Sequence, residues 1–543
     1  MHRLVLAGAV VACLAPFLGK PFHIDDPMYL WAAEHITRAP LDFYGLEVNW
    51  YGSFAPMYEL NNNPPLVSFY LALVGALLGW SELALHAGML LPAVAAVLGT
   101  YALARRLCAA PLLAALASWL TPGMLVSATT LMSDVLMLAL WCWAAALWVA
   151  GLDEGRRWHL LAGALLAGLC PLAKYFGLAL LPLLFAYTLL RRRGVGAWAA
   201  FLLVPLAVVG LYLLAMRLQY GWDPVVEAAA YTLTIEVKQT YTVAERALVG
   251  LTFLGGCLLT LLFFAPLVWS WRTLALGAAA TAAGALVLPA VGPLGPLALA
   301  TESGTRWDLV AQIALFAAAG VHVLALAVRD ARARRSADAF LLAAWLGGVW
   351  VFASFTNWTT TARAILPAAP AAAILLARAL EGARGARPLA WSRALPPLAA
   401  GLALSLAVAW ADQALADSAR TAARTLAAKH GSGRLFFQGA WGFQEYMEAA
   451  NATRLDLNAV VLFPGDIVIS PEMNTNLVIL PSYATERVDA LEVPAGLGVT
   501  TLSLARGAGF YAAIFGPLPY SFGPVPPQRY VVERMVMPLR FHQ

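Results

Sequence analysis

Apolar residues in this chain fall into long unbroken runs, not the alternating or every-third-and-fourth pattern of a soluble domain. A run of about 17–25 residues is long enough to cross a bilayer as a helix. Such runs occupy Leu4–Gly19, Leu85–Arg105, Pro111–Ala128, Asp134–Ala150, Trp158–Ala173, Gly177–Leu190 and Trp198–Met216. They continue at Ala247–Trp269, Leu274–Leu294, Leu309–Val328, Phe340–Phe355, Ala364–Leu380 and Ala394–Trp410. The pattern predicts an all-α polytopic membrane domain of about thirteen transmembrane helices over residues 1–410.

Arginine placement orients these helices. Cytoplasmic loops are enriched in Lys and Arg. With the amino terminus inside, the clusters at 105–106, 156–157, 191–193, 272, 329–335 and 378–393 all fall inside. The segments 20–63, 121–133, 170–175, 218–246, 296–308 and 356–363 then fall outside. A further apolar run, 64–80, would break this alternation if it crossed fully, so it is predicted to be an interfacial or re-entrant helix. The first run, behind a thin basic start (His2, Arg3), is read as a retained helix and not as a cleaved signal.

Beyond Trp410 the apolar runs shorten to strand length (434–438, 466–470, 477–480) and Gly, Pro and Asn become frequent. Residues 441–450 keep a helical pattern. A small C-terminal α/β soluble domain, 411–543, is predicted on the extracytoplasmic side.

Composition agrees with a membrane location. The 543 residues are 61% hydrophobic and 12% charged, against about 45–50% and 25% in soluble domains. The net charge of +5 is spread over short loops, which suits an anionic leaflet and membrane lipids and argues against a nucleic-acid partner. The five cysteines lie in or beside apolar runs, without disulfide or metal-ligand spacing.

Four features carry candidate chemistry. Asp25 and Asp26 follow the first span directly. Mutual repulsion and partial desolvation would raise one of the two pKa values and suit general-base work; equally, Asp26-Pro27 could simply start a helix. Asp134 sits at the outer end of a span, where a charge needs a partner. Lys174 occupies an outer turn that the orientation rule does not favour, so it should compensate an anion: the Asp25/Asp26 pair, Asp134 or a ligand phosphate. Arg363, at the outer start of another span, suits phosphate recognition, with snorkelling to headgroups as the alternative. All four lie on one predicted face of the bilayer.

These motifs resemble the GT-C superfamily of membrane glycosyltransferases, in particular the branch holding protein O-mannosyltransferases and the ArnT-like aminoarabinose transferase of lipid A. The likeness runs in order from Leu4 to about Leu380. The family's acidic pair in the first outer loop corresponds to Asp25-Asp26, and its Pro-Pro-Leu to Pro64-Pro65-Leu66, preceded here by Asn63 where the family often has His or Lys. The acid before the fourth span corresponds to Asp134. The lysine-glycine turn that handles the lipid phosphate corresponds to Lys174, with Tyr175 in place of the first glycine. The family's late Arg-Tyr-Leu-Leu-Pro appears as Arg363-Ala364-Ile365-Leu366-Pro367, without the tyrosine. The segment Phe437–Gln444 is similar to outer domains of bacterial members, with no role attached.

The resemblance implies an inverting glycosyltransferase that moves a sugar from a polyprenyl-phosphate donor to a lipid, glycan or protein acceptor. Asp25 would be the base, with Asp26 and Asp134 orienting the acceptor or holding a divalent cation such as Mg or Mn. Lys174 and Arg363 would stabilise the departing phosphate, with Asn63 and Tyr175 beside the substrate. The expected location is the bacterial inner membrane. A transporter or flippase of lipid-linked sugars is the alternative, although it would place charges near the midplane and repeat its halves.

Overall fold

The computed structural model describes residues 1–61, 63–234, 241–384, 389–496 and 498–541. It is mostly helical, with a β-rich C-terminal region. Helix lies within every predicted span. By length and composition, seven helices among the described residues could cross a membrane, or eight if the bent pair Val243–Cys257 and Leu259–Val268, which turns by 72°, is one span. The predicted span 111–128 is interrupted too: Pro111–Trp119 stops, and a second short helix restarts at Pro122. Proline is tolerated in a first turn, where its missing N–H has no helical partner anyway.

Local capping defines several ends. Ser81 accepts from the Ala84 N–H ahead of helix Glu82–Leu107, whose last turn holds Arg105 and Arg106. Thr242 and Glu245 form a reciprocal capping box at helix Val243–Cys257. The run predicted to be interfacial forms helix Leu66–Leu78, packed on Asp26–Arg38 and Glu82–Leu107. The cluster 378–393 and the loop 218–246 fall partly outside the described residues.

Helix Asp134–Glu154 separates two charged regions by its length, about 30 Å at 1.5 Å per residue. At its far end Asp153 and Glu154 pair with Arg106, and Asp153 with Arg191. At its near end Asp134 meets Lys174 and Arg363.

The last long helix does not stop near Trp410 but continues unbroken to His430. The change of composition at 410 therefore falls within a continuous helix and does not mark its end. A five-stranded sheet follows, built from β1 (Leu435–Phe437), β2 (Thr453–Arg454), β3 (Ile467–Pro471), β4 (Thr485–Val493) and β5 (Gln528–Met535) in the order β2-β1-β3-β5-β4. The β1 strand pairs parallel with β2 and β3, and β5 antiparallel with β3 and β4. The run 477–480, expected as a strand, has no regular structure; the Val478 N–H bonds instead to the side chain of Gln438.

The sheet domain is clamped to the loop of residues 20–63. Arg454 donates to the carbonyls of Gly439 and Trp50, at 2.7 and 2.9 Å, and bonds Gln444. Gln444 donates to the Asn49 carbonyl, and the Tyr446 hydroxyl joins Glu82 and the Phe22 N–H. This gives the segment 437–444 a structural account. Gly439 adopts φ +94°, and Gly442 admits the Phe22 carbonyl so closely that a Cβ there would lie 1.9 Å from its oxygen.

Candidate active site

Arg363 is the centre of the charged cluster. Its Nη1 donates to Asp25 Oδ2 at 2.8 Å and its Nε to Asp134 Oδ2 at 2.7 Å, while Lys174 Nζ reaches Asp134 Oδ1 at 2.5 Å. Asp134 is 1% exposed; the Asp25 side chain is a third exposed. One buried acid therefore holds two cations in place, and Asp25 meets the same guanidinium from the open side. Of the anions predicted for Lys174, Asp134 is the one found.

The adjacent acids have different roles. Asp25 precedes helix Asp26–Arg38, yet its side chain caps nothing there. Asp26 is fully buried, and its oxygens accept from the backbone N–H groups of His23 and Leu131 at 2.9 and 2.8 Å. It ties the first loop to the turn before Asp134 and lies away from the cavity wall. Burial pushes its carboxyl up to about 7, against the pull of Lys20.

Asp25, Lys174, Tyr175, Arg363 and Asn63 line one cavity of about 470 Å³. Asp26 and Asp134 stand behind it. Lys174 reaches the wall because helix Arg157–Ala173 ends just before it and Tyr175–Ala179 folds back as a 3-10 turn. Gly177 makes that turn possible, since a Cβ there would come within 2.5 Å of the Pro171 nitrogen. The Tyr175 hydroxyl bonds Tyr212, and the Asn63 carbonyl accepts from Tyr44.

The sequence assigns the C-terminal domain to the acceptor site, but does not single out the residues by which it enters the cavity. Trp441, Thr475, Asn476 and Tyr511 also line the cavity. A second buried centre anchors this wall: Asp412 accepts from Lys20 at 2.6 Å, Thr501 at 2.6 Å and the Tyr511 hydroxyl at 2.7 Å. His23 lies 3.7 Å from the same carboxylate, and burial lowers its pKa to about 4. Backbone strain marks the same place. Of six non-glycine residues with positive φ among the described residues, Ile24 (+48°), Trp441 (+64°) and Asn476 (+59°) line this cavity. Such conformations persist only where the surroundings impose them, and they gather at functional sites.

The expected divalent cation does not fit. Both oxygens of Asp134 are engaged by cations and both of Asp26 by backbone N–H groups, which leaves Asp25 as the one partly free carboxylate. Mg and related ions take about six oxygen ligands. Among the described residues no group of three His, Cys, Asp or Glu side chains could hold a metal. The sequence expectation that Asp26 and Asp134 orient the acceptor or hold a metal is corrected accordingly: both are fully committed within the protein.

The site is thus an acid and two cations at one end of a helical body, on a cavity whose other wall comes from the C-terminal β-rich region. Residues 62–196, which include Asn63, Asp134, Lys174 and Tyr175, match the family described as dolichyl-phosphate-mannose-protein mannosyltransferase. Among solved structures, the chain is similar to the apo oligosaccharyltransferase of Archaeoglobus fulgidus, with 15% identity over 83% of this chain and TM-score 0.49. The chain spans 64% of that protein's length. It is also similar to ArnT from Cupriavidus metallidurans bound to undecaprenyl phosphate, with 14% identity over 86% of this chain and 93% of that one, TM-score 0.43. No curated protein matches it in sequence.

Proposed function

We propose that this protein transfers a sugar, with inversion, from a polyprenyl-phosphate donor to an acceptor at the extracytoplasmic face of a bacterial inner membrane, crossing that membrane thirteen times. The observation that carries this reading is the shared cavity of Asp25, Lys174 and Arg363. Asp25, the exposed acid, takes the proton of the acceptor hydroxyl as its oxygen attacks the anomeric carbon. The bond to the phosphate oxygen breaks, and the negative charge left there lies against Lys174 and Arg363. Preset cations where charge develops are the largest common source of catalysis. Asp134 is a positioning residue, since it sets both cations without reaching the cavity. The family description, with its dolichyl-phosphate donor, supports the choice of lipid; the acceptor is a lipid, glycan or protein.

The test is sugar transfer or release from a panel of radiolabelled polyprenyl-phosphate sugars by reconstituted protein. Asp25→Asn should lower the rate by about 10²–10⁴, the range for loss of a general base, while the protein stays folded. Labelled lipid that crosses the bilayer unconsumed, with Asp25→Asn behaving as wild type, would establish the flippase alternative instead.

A further inference from the structure

Away from the charged cluster the described cavity wall is neutral: among the described residues Asp25, Lys174 and Arg363 are its charged members, and Trp50, Trp358 and Trp441 supply large rings. Three asparagines on this wall, Asn63, Asn357 and Asn476, share one arrangement. Each is anchored through its amide nitrogen, which donates to Asn61 Oδ1 (3.2 Å), the Thr359 carbonyl (2.7 Å) and the Trp50 carbonyl (3.0 Å) respectively. Among the described residues, the Oδ1 of each accepts no hydrogen bond. The cavity is thus provided with fixed acceptors beside aromatic faces, and a ligand must bring the donors.

Sugar hydroxyls are such donors, and the C–H faces of a sugar ring suit an indole. An ammonium group on the sugar would face two cations, and among the described residues the one carboxylate on the wall, Asp25, is already paired with Arg363. A sugar carboxylate would meet amide oxygens, which repel it, and could reach cations only by displacing the phosphate. Resting on the reading that the cavity holds a polyprenyl-phosphate sugar, we infer that the C-terminal domain completes a subsite for an uncharged, hydroxyl-rich sugar, with Asn476 as its specificity-determining residue and Trp441 as its stacking face. Both are held in strained backbone, at φ +59° and +64°, which fixes where their side chains start.

The test measures binding to the full-length protein in nanodiscs by native mass spectrometry, using polyprenyl phosphates that carry a neutral hexose, an amino sugar or a uronic acid, and bare polyprenyl phosphate. The neutral lipid should bind at least tenfold tighter than either charged one. Asn476→Gly keeps the positive φ accessible and should abolish that preference while binding of bare polyprenyl phosphate stays unchanged, a split that misfolding would not produce. Equal or tighter binding of a charged sugar lipid, or a neutral preference that survives in Asn476→Gly, overturns the inference. Donor consumption is read separately: neutral preference without consumption sustains the subsite and removes the transferase reading, whereas consumption without neutral preference does the reverse.

Discussion

Replacing Asp134 with asparagine keeps the volume of the side chain but removes its charge. In the native protein the two oxygens are divided between Lys174 at 2.5 Å and Arg363 at 2.7 Å, and the carboxylate is 1% exposed. Arg363 would still have Asp25 at 2.8 Å. Lys174 would lose its ion-pair partner, with Asp25 left only as a more distant charge, and the carboxamide N–H₂ would face one of the cations. Stranding a buried charge costs about 3–5 kcal/mol, so Asp134→Asn should lose most of that range. The assay is equilibrium unfolding in nanodiscs, followed by tryptophan fluorescence. The double variant Asp134→Asn/Lys174→Met removes the stranded charge together with its partner. It should be more stable than the sum of the single changes by about 1–3 kcal/mol, the coupling typical of residues in direct contact. A loss below about 1 kcal/mol in Asp134→Asn, or strict additivity, would refute the claim that this acid holds the cations in place.

Further measurements test the rest of the architecture. Gly442→Ala forces a methyl group against the Phe22 carbonyl, 1.9 Å away, and should cost about 1–3 kcal/mol as overpacking, seen as faster hydrogen exchange and proteolysis in 437–450; an unchanged pattern would mean that the close approach is unimportant. Glu445 receives the Trp31 indole N–H at 2.7 Å, and burial raises its carboxyl to about 7. Because this folded value lies above the unfolded one of about 4.3, its contribution to stability is full below about pH 4 and is lost as pH rises through 7. Glu445→Gln should therefore flatten the fall in unfolding free energy between about pH 4 and 7, and identical profiles for variant and wild type would contradict the assignment.

Helix within every predicted span, five of the seven candidate residues on the cavity wall and the change to a β-rich C-terminal region were legible in the chain, because each depends on local information. A bilayer leaves the backbone no choice but helix over an apolar run, and a charge stranded at the end of such a run declares that it has a partner. What the sequence could not decide is which partner. Asp25 and Asp26 are neighbours of equal chemistry, and only the fold turns one into the cavity and buries the other against His23 and Leu131. Lys174 could have answered several anions; Asp134 takes it because Arg363, 229 residues later in the chain, occupies that acid's other oxygen. Which residues of the C-terminal domain form the cavity wall was invisible for the same reason. Trp441, Asn476 and Tyr511 carry no signal of a site in a one-dimensional pattern, and they enter it through packing of the C-terminal domain on the first loop, through Arg454, Gly442 and Asp412. Periodicity and charge determine where the chain crosses and what must be neutralised, whereas the pairing of distant groups is set by the three-dimensional packing of helices whose contacts are long-range.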